Sequence, residues 1–212
     1  QLTRDEVRAV VEEAHRLGKR VAAHAEGLEG SRLAIEEGVD TVEHGLSLHR
    51  EPALLEKMAE NGQTLVPTLS TFHDVSEDHA EKYPCALVGQ AERQREEAYE
   101  TLAAARAAGV RIAMGFDSYP LGQNARELVR MVEGGLTPME GIVAATSGAA
   151  DALGLGEVGR VDRGSVADLL VLDGDPLSDP AVLLDPGRIR LVVQGGEIIS
   201  AAPRPRQGAR TE

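Results

Sequence analysis

Two histidines and one aspartate draw attention because each lies at the close of a short apolar run: His24 in VAAHAEG, His44 in TVEHG and Asp117 in VRIAMGFDS. Imidazole and carboxylate groups suit zinc or a related divalent ion, and donors on separate strand ends can be aimed at one point. An ion held there lowers the pKa of bound water and polarises a carbonyl. A neighbouring carboxylate can take the proton and pass it to a leaving group, and Asp117 is assigned that work. The alternative is three unrelated capping or surface residues; their shared placement favours a metal site. The set is incomplete. No HxH pair occurs, and Lys19, Lys57 and Lys82 all fall away from predicted strand ends.

The scaffold for these residues repeats. TRDEVRAVVEEAHRLG reads as a helix opened by a Thr3–Glu6 capping box, with Val7, Val10, Val11, Ala14 and Leu17 on one face and Gly18 as its stop. A strand ending near His24 comes next, then the helix SRLAIEEG, and then a strand ending at His44. Pro52 to Asn61 forms the next helix, and TLVPTLS the next strand, which Pro67 confines to an end or a bulge. The polar stretch from Thr71 to Leu87 is expected to be a lid or insertion. A helix over 89–108 and a strand ending at Asp117 complete four βα units. Such units build parallel sheets, either open or closed into a barrel. Polar residues at several strand ends favour the barrel, whose strand C-termini share one mouth.

Beyond residue 123 the pattern changes. Asn124 to Val132 and Thr137 to Leu153 read as helices, with Thr137 an N-cap and Pro138 at the first helical position. Glycine-punctuated runs, EVGRVDRGSVADLLVLDGDP and IRLVVQGGEIIS, then suggest a small antiparallel layer. With 42% hydrophobic and 27% charged residues the chain is an ordinary globular mixture, and its 2% aromatic content leaves a core of aliphatic side chains. A formal charge of -13 argues against nucleic acid as a partner, no apolar run is long enough for a membrane span, and one cysteine, Cys85, forms no internal disulfide. A cytoplasmic setting is expected.

AHAEG at 23–27, EHG at 43–45 and GFDS at 115–118 resemble strands five, six and eight of the amidohydrolase superfamily. The run from LGQNARELV to AADALGL is similar to the helices after strand eight of that family, and GRVDRGSVADLLVLDGDPLSD and IRLVVQGGEII are similar to its return into a small β domain. The resemblance covers roughly residues 1–200 and points to the imidazolonepropionase-like group, especially Xaa-Pro dipeptidases (prolidases). It implies an α/β fold: the C-terminal half of a TIM-like (β/α)8 barrel, strands five to eight, over residues 1–153. Part of a small β-sandwich domain would occupy 154–200, with a disordered tail over 201–212. His24 and His44 would bind the more exposed of two zinc ions. Asp117 would bind the more buried ion and act as catalytic proton shuttle. The family's strand-one HxH pair and bridging carboxylated lysine are absent, which implies a truncated or split product that needs a missing N-terminal half or complementary chain.

On this footing His73, Tyr119 and Asn124 are candidate substrate-binding residues, and Glu26 a partner that orients a histidine. The implied activity is hydrolysis of an amide bond in a small dipeptide (Xaa-Pro-like) or N-acyl amino acid by metal-activated hydroxide, with the chain inactive alone. The alternatives are a cyclic-amide or imidazolone hydrolase, and a noncatalytic remnant or partner-binding protein. A homo-oligomer is compatible with either.

Overall fold

The computed structural model describes residues 2–201. Helix α1 (Arg4–Arg16) opens with the expected capping box, in which Thr3 Oγ1 accepts from the Glu6 amide and Glu6 Oε2 accepts from the Thr3 amide at 2.7 Å. Strand β1 (Ala22–Ala25), helix α2 (Leu28–Glu36), strand β2 (Thr41–His44), helix α3 (Pro52–Asn61) and strand β3 (Thr64–Val66) succeed it in strict alternation. Next come α4 (Leu69–His73), α5 (Cys85–Ala107) and β4 (Arg111–Ile112). The four strands form one parallel sheet in the order β1-β2-β3-β4, with Ala22 opposite Thr41, Thr41 opposite Thr64 and Thr64 opposite Arg111. Four successive parallel strands with helical crossovers match the arrangement read from the sequence.

Two-residue periodicity sorts the strands' side chains. Val42 and Leu65, both wholly buried, pack against α1–α3 and α5 in a core that also holds Ile35, Leu55 and Met58. A second cluster joins Leu69, Phe72, Leu102 and Met131. On the sheet's other face Val66 and Ala113 meet Ala149 and Ala152 of a later helix (Ser147–Leu153). Above that floor lies a broad cleft of about 840 Å³, into which Thr41, Glu43 and Gly115 face.

Two expectations need correction. The strand ending at Asp117 stops at Ile112, five residues short, after which the chain turns irregularly. The stretch from Thr71 to Leu87, expected to be a lid or insertion, is built of helical turns, and the helix after it starts early. It runs from α4 into a π-turn (Asp74–Asp78) and a 3-10 turn (Ala80–Lys82), and α5 begins at Cys85, four residues earlier than expected. Its polar groups satisfy one another locally: His73 Nδ1 with Glu77 at 2.9 Å, and Asp74 with both His79 and Tyr83.

Helices α6 (Ala125–Glu133) and α7 (Pro138–Ala145) precede that later helix, α8. Thr137 caps α7 as expected, whereas Asn124 makes no side-chain cap. Strands β5 (Leu169–Leu172), β6 (Ile189–Gln194) and β7 (Glu197–Ala201) form a separate antiparallel sheet. Asp168 Oδ1 accepts from the Gly195 amide at 2.7 Å and so secures the β6–β7 turn. Ala201 closes β7; the tail expected to be disordered otherwise lies outside the described residues. No described helix is long and apolar enough to cross a membrane.

Candidate metal-facing site

The parallel sheet brings His24 and His44 together. His24 is the third residue of β1 and His44 the last of β2; His24 pairs in register with Glu43, so the histidines are diagonal neighbours. His24 Nδ1 lies 2.8 Å from His44 Nε2, with the rings edge to face at a centroid distance of 4.6 Å. Two unlike surroundings meet here, because His24 is exposed and His44 only 4% exposed. Burial lowers the His44 pKa below the usual histidine value, and the adjacent His24 lowers it further against the opposing pull of Asp117 and Glu26. His44 is thereby held as a neutral imidazole, the form that donates a lone pair to a cation. Its other nitrogen, Nδ1, sits 2.6 Å from Thr68 Oγ1.

The backbone at these strand tips is unusual. His44, Thr68 and Asp117, at or just beyond the ends of β2, β3 and β4, have φ of 69°, 48° and 40°. Left-handed backbone is uncommon outside glycine, and for a β-branched residue such as Thr68 it is an outlier of the kind that gathers at functional sites. The adjoining glycines answer to crowding. A Cβ on Gly45 would lie 2.7 Å from Leu65 Cδ1, and one on Gly115 would lie 2.5 Å from Val66 Cγ1. Gly45, itself at φ 64°, and Gly115 thus leave room for Leu65 and Val66 at the strand tips.

Asp117 stands apart from the pair. It is exposed, and its backbone carbonyl and Oδ2 accept from Thr71 Oγ1 at 2.5 and 3.3 Å. Its charge reaches both His44 and Glu43. Among the described residues no three His, Cys, Asp or Glu side chains gather tightly enough to hold an ion. The two imidazoles fit one side of a divalent cation: borderline nitrogen donors, facing one another, one neutral and secured through its far nitrogen. The remaining donors would have to come from elsewhere or from movement of Asp117.

Of the candidate substrate residues, His73 is buried with both ring nitrogens engaged, by Glu77 and by Tyr99 Oη at 2.8 Å. Tyr119 is 74% exposed and borders a cleft of about 370 Å³ with Asp74, His79 and Tyr83. Asn124 is exposed. Glu26 accepts from Gln94 Nε2 at 3.2 Å rather than from a histidine. Sequence reasoning passed over Glu43, which faces the cleft, accepts from Thr41 Oγ1 at 2.6 Å and has its carboxyl pKa raised by burial. Its alternation with Thr41 along β2 was the available signal. Thr68 was also missed: Pro67 marks an end or bulge of the strand but not a left-handed residue after it.

Comparison with known proteins agrees with this architecture. The model of the amidohydrolase family matches residues 1–199. Ochratoxinase of Aspergillus niger is 32% identical over 201 residues, covering 93% of this chain and 42% of that protein. Its crystal structure superposes with a TM-score of 0.85 over 95% of this chain and 46% of the other. Imidazolonepropionase of Paracoccus denitrificans is 30% identical over 210 residues, 93% of this chain and 46% of that protein. A crystal structure of a Xaa-Pro dipeptidase with bound methionine is 34% identical, with a TM-score of 0.83 over 93% of this chain and 49% of that one. The chain therefore spans about half the length of these relatives.

Proposed function

Because this chain belongs to the amidohydrolase family, we propose that it supplies strands five to eight of a metal-dependent barrel that hydrolyses an amide bond in a small dipeptide or N-acyl amino acid. The observation that carries this reading is the approach of His24 Nδ1 to His44 Nε2 at the tips of adjacent parallel strands. His24 and His44 would hold a divalent ion, most simply zinc, from this side of the site. When bound, such an ion supplies Lewis acidity toward the scissile carbonyl and acidifies water. Asp117 accepts the proton of the attacking water at its carboxylate and returns it to the departing amide nitrogen. It lies five residues beyond β4, where its backbone carbonyl accepts from Thr71 Oγ1 and its side chain is exposed.

Among the described residues no strand pairs with the outer edges of β1 and β4, which supports completion by a further portion of chain, since an exposed sheet edge presents unpaired backbone donors and acceptors. The 212-residue chain is expected to be inert toward Xaa-Pro dipeptides alone, and to gain turnover when the complementary portion of a relative is supplied. Asp117→Asn should then lower kcat by at least about 100-fold, the range of a lost general base. Turnover by the homogeneous chain alone, or an undiminished Asp117→Asn complex, would reject the proposal. The similarity to imidazolonepropionase favours a second reading, ring opening of a cyclic amide. Preferential hydrolysis of an imidazolone by the completed assembly would select it.

A further inference from the structure

A buried carboxylate remote in sequence reaches the histidine pair through the backbone. Glu127 of α6 is 0% exposed. Its Oε1 accepts from the Leu69 amide and its Oε2 from the Ser70 amide, each at 2.8 Å. These are the first two amides of α4, donors that a helix of one turn leaves unpaired within itself. Immediately before them stands Thr68, a β-branched residue at φ 48°, ψ 46°. Such a conformation costs on the order of 1–3 kcal/mol and persists only when its surroundings impose it. Thr68 Oγ1 in turn meets His44 Nδ1.

We propose that Glu127 is a positioning residue for His44: by clamping the amides of Leu69 and Ser70 it holds Thr68 in its left-handed turn, so that Thr68 Oγ1 accepts the Nδ1–H of His44 and leaves Nε2 with its lone pair turned toward His24. This rests on reading His24 and His44 as the pair that holds an ion. Glu127 itself touches neither histidine in any hydrogen bond, and its effect passes through three consecutive backbone positions. A carboxylate that merely closed the core would affect stability and leave the His44 tautomer alone.

The test is nitrogen NMR of the 15N-histidine-labelled, metal-free 212-residue chain. Wild type should show His44 with a single tautomer protonated at Nδ1. Glu127→Gln, which offers an N–H where an acceptor is needed, and Glu127→Asp, which is too short to span both amides, should each give mixed tautomers. Zinc affinity of the chain completed by the complementary portion of a relative, followed on the same signals, should weaken about 10–100-fold, the usual effect of losing a partner behind a metal-binding histidine. Thr68→Val should reproduce the Glu127→Gln spectrum, and the double variant should add little, as expected for residues acting in one network. Leu128→Ala, a buried change on the same helix, should lower stability and leave the tautomer as in wild type. Retention of the wild-type tautomer in either folded Glu127 variant overturns the proposal. Absence of any zinc response in the wild-type chain completed by the complementary portion of a relative, with the tautomer shift intact, would instead reject the metal reading and leave the clamp standing.

Discussion

The two sheets of this molecule solve the same problem unequally. In the parallel sheet, every residue of β3 is buried and three of the four in β2, because crossover helices lie over one face and α8 over part of the other. In the antiparallel sheet every residue of β7 is exposed, and Ile198 and Ile199 stand 66% and 59% open to solvent. Apolar content does not account for this, because the antiparallel strands are the richer in Val, Leu and Ile. The difference lies in cover. Parallel strands need long connections, and those connections become the helices that bury them. The tight turn from β6 to β7 brings no such cover, so the apolar side chains of β7 wait for a surface that the described residues do not provide.

Substitutions can sharpen or break this contrast. Leu65→Ala, at the centre of the covered sheet, should cost about 2–5 kcal/mol in chemical denaturation, as large-to-small core changes do. A loss under about 1 kcal/mol would mean that the parallel half is far looser than its burial indicates. Next in size is a pH effect on the helical cover. Burial pushes the Glu127 carboxyl up to about 7, from an ordinary value of 4.5. The folded state then keeps a proton that the unfolded chain releases. The stabilisation is complete below pH 4.5 and is lost as pH rises through 7, with a slope of at most about 1.4 kcal/mol per pH unit. Glu127→Gln should flatten this component; identical pH profiles for the two proteins would refute it. Smallest is Ile198→Thr in the uncovered sheet, expected to change stability by less than about 0.5 kcal/mol. A large loss would show that β7 is already covered in solution.

What could be read from residues alone tracked the range of the interactions involved. The Thr3–Glu6 box, the Thr137 cap, the Gly18 stop after the first helix, and the β1, β2 and β3 strands all depend on neighbours within a few positions. The meeting of His24 with His44 was legible because parallel pairing aligns successive strand tips. The rest was nonlocal or misleading locally. Residues 71–87 read as a lid or insertion with no helix before residue 89, and their polarity hid the helical turns in which pairs such as His73–Glu77 satisfy one another. The short β4 sits in a run apolar enough for a full strand. Glu127 reads as one acid on an otherwise amphipathic helix, and its partners at Leu69 and Ser70 lie 58 and 57 positions away.

The left-handed turns at positions 44, 68 and 117 carry one further implication, about tolerance to change. Wherever only the course of the chain matters, glycine is the least costly occupant of such a turn. Here the three places hold an imidazole, a β-branched hydroxyl and a carboxylate instead. A screen that selected for heat resistance alone would be expected to drift toward glycine at these sites, and each step would trade chemical capacity for a more relaxed fold.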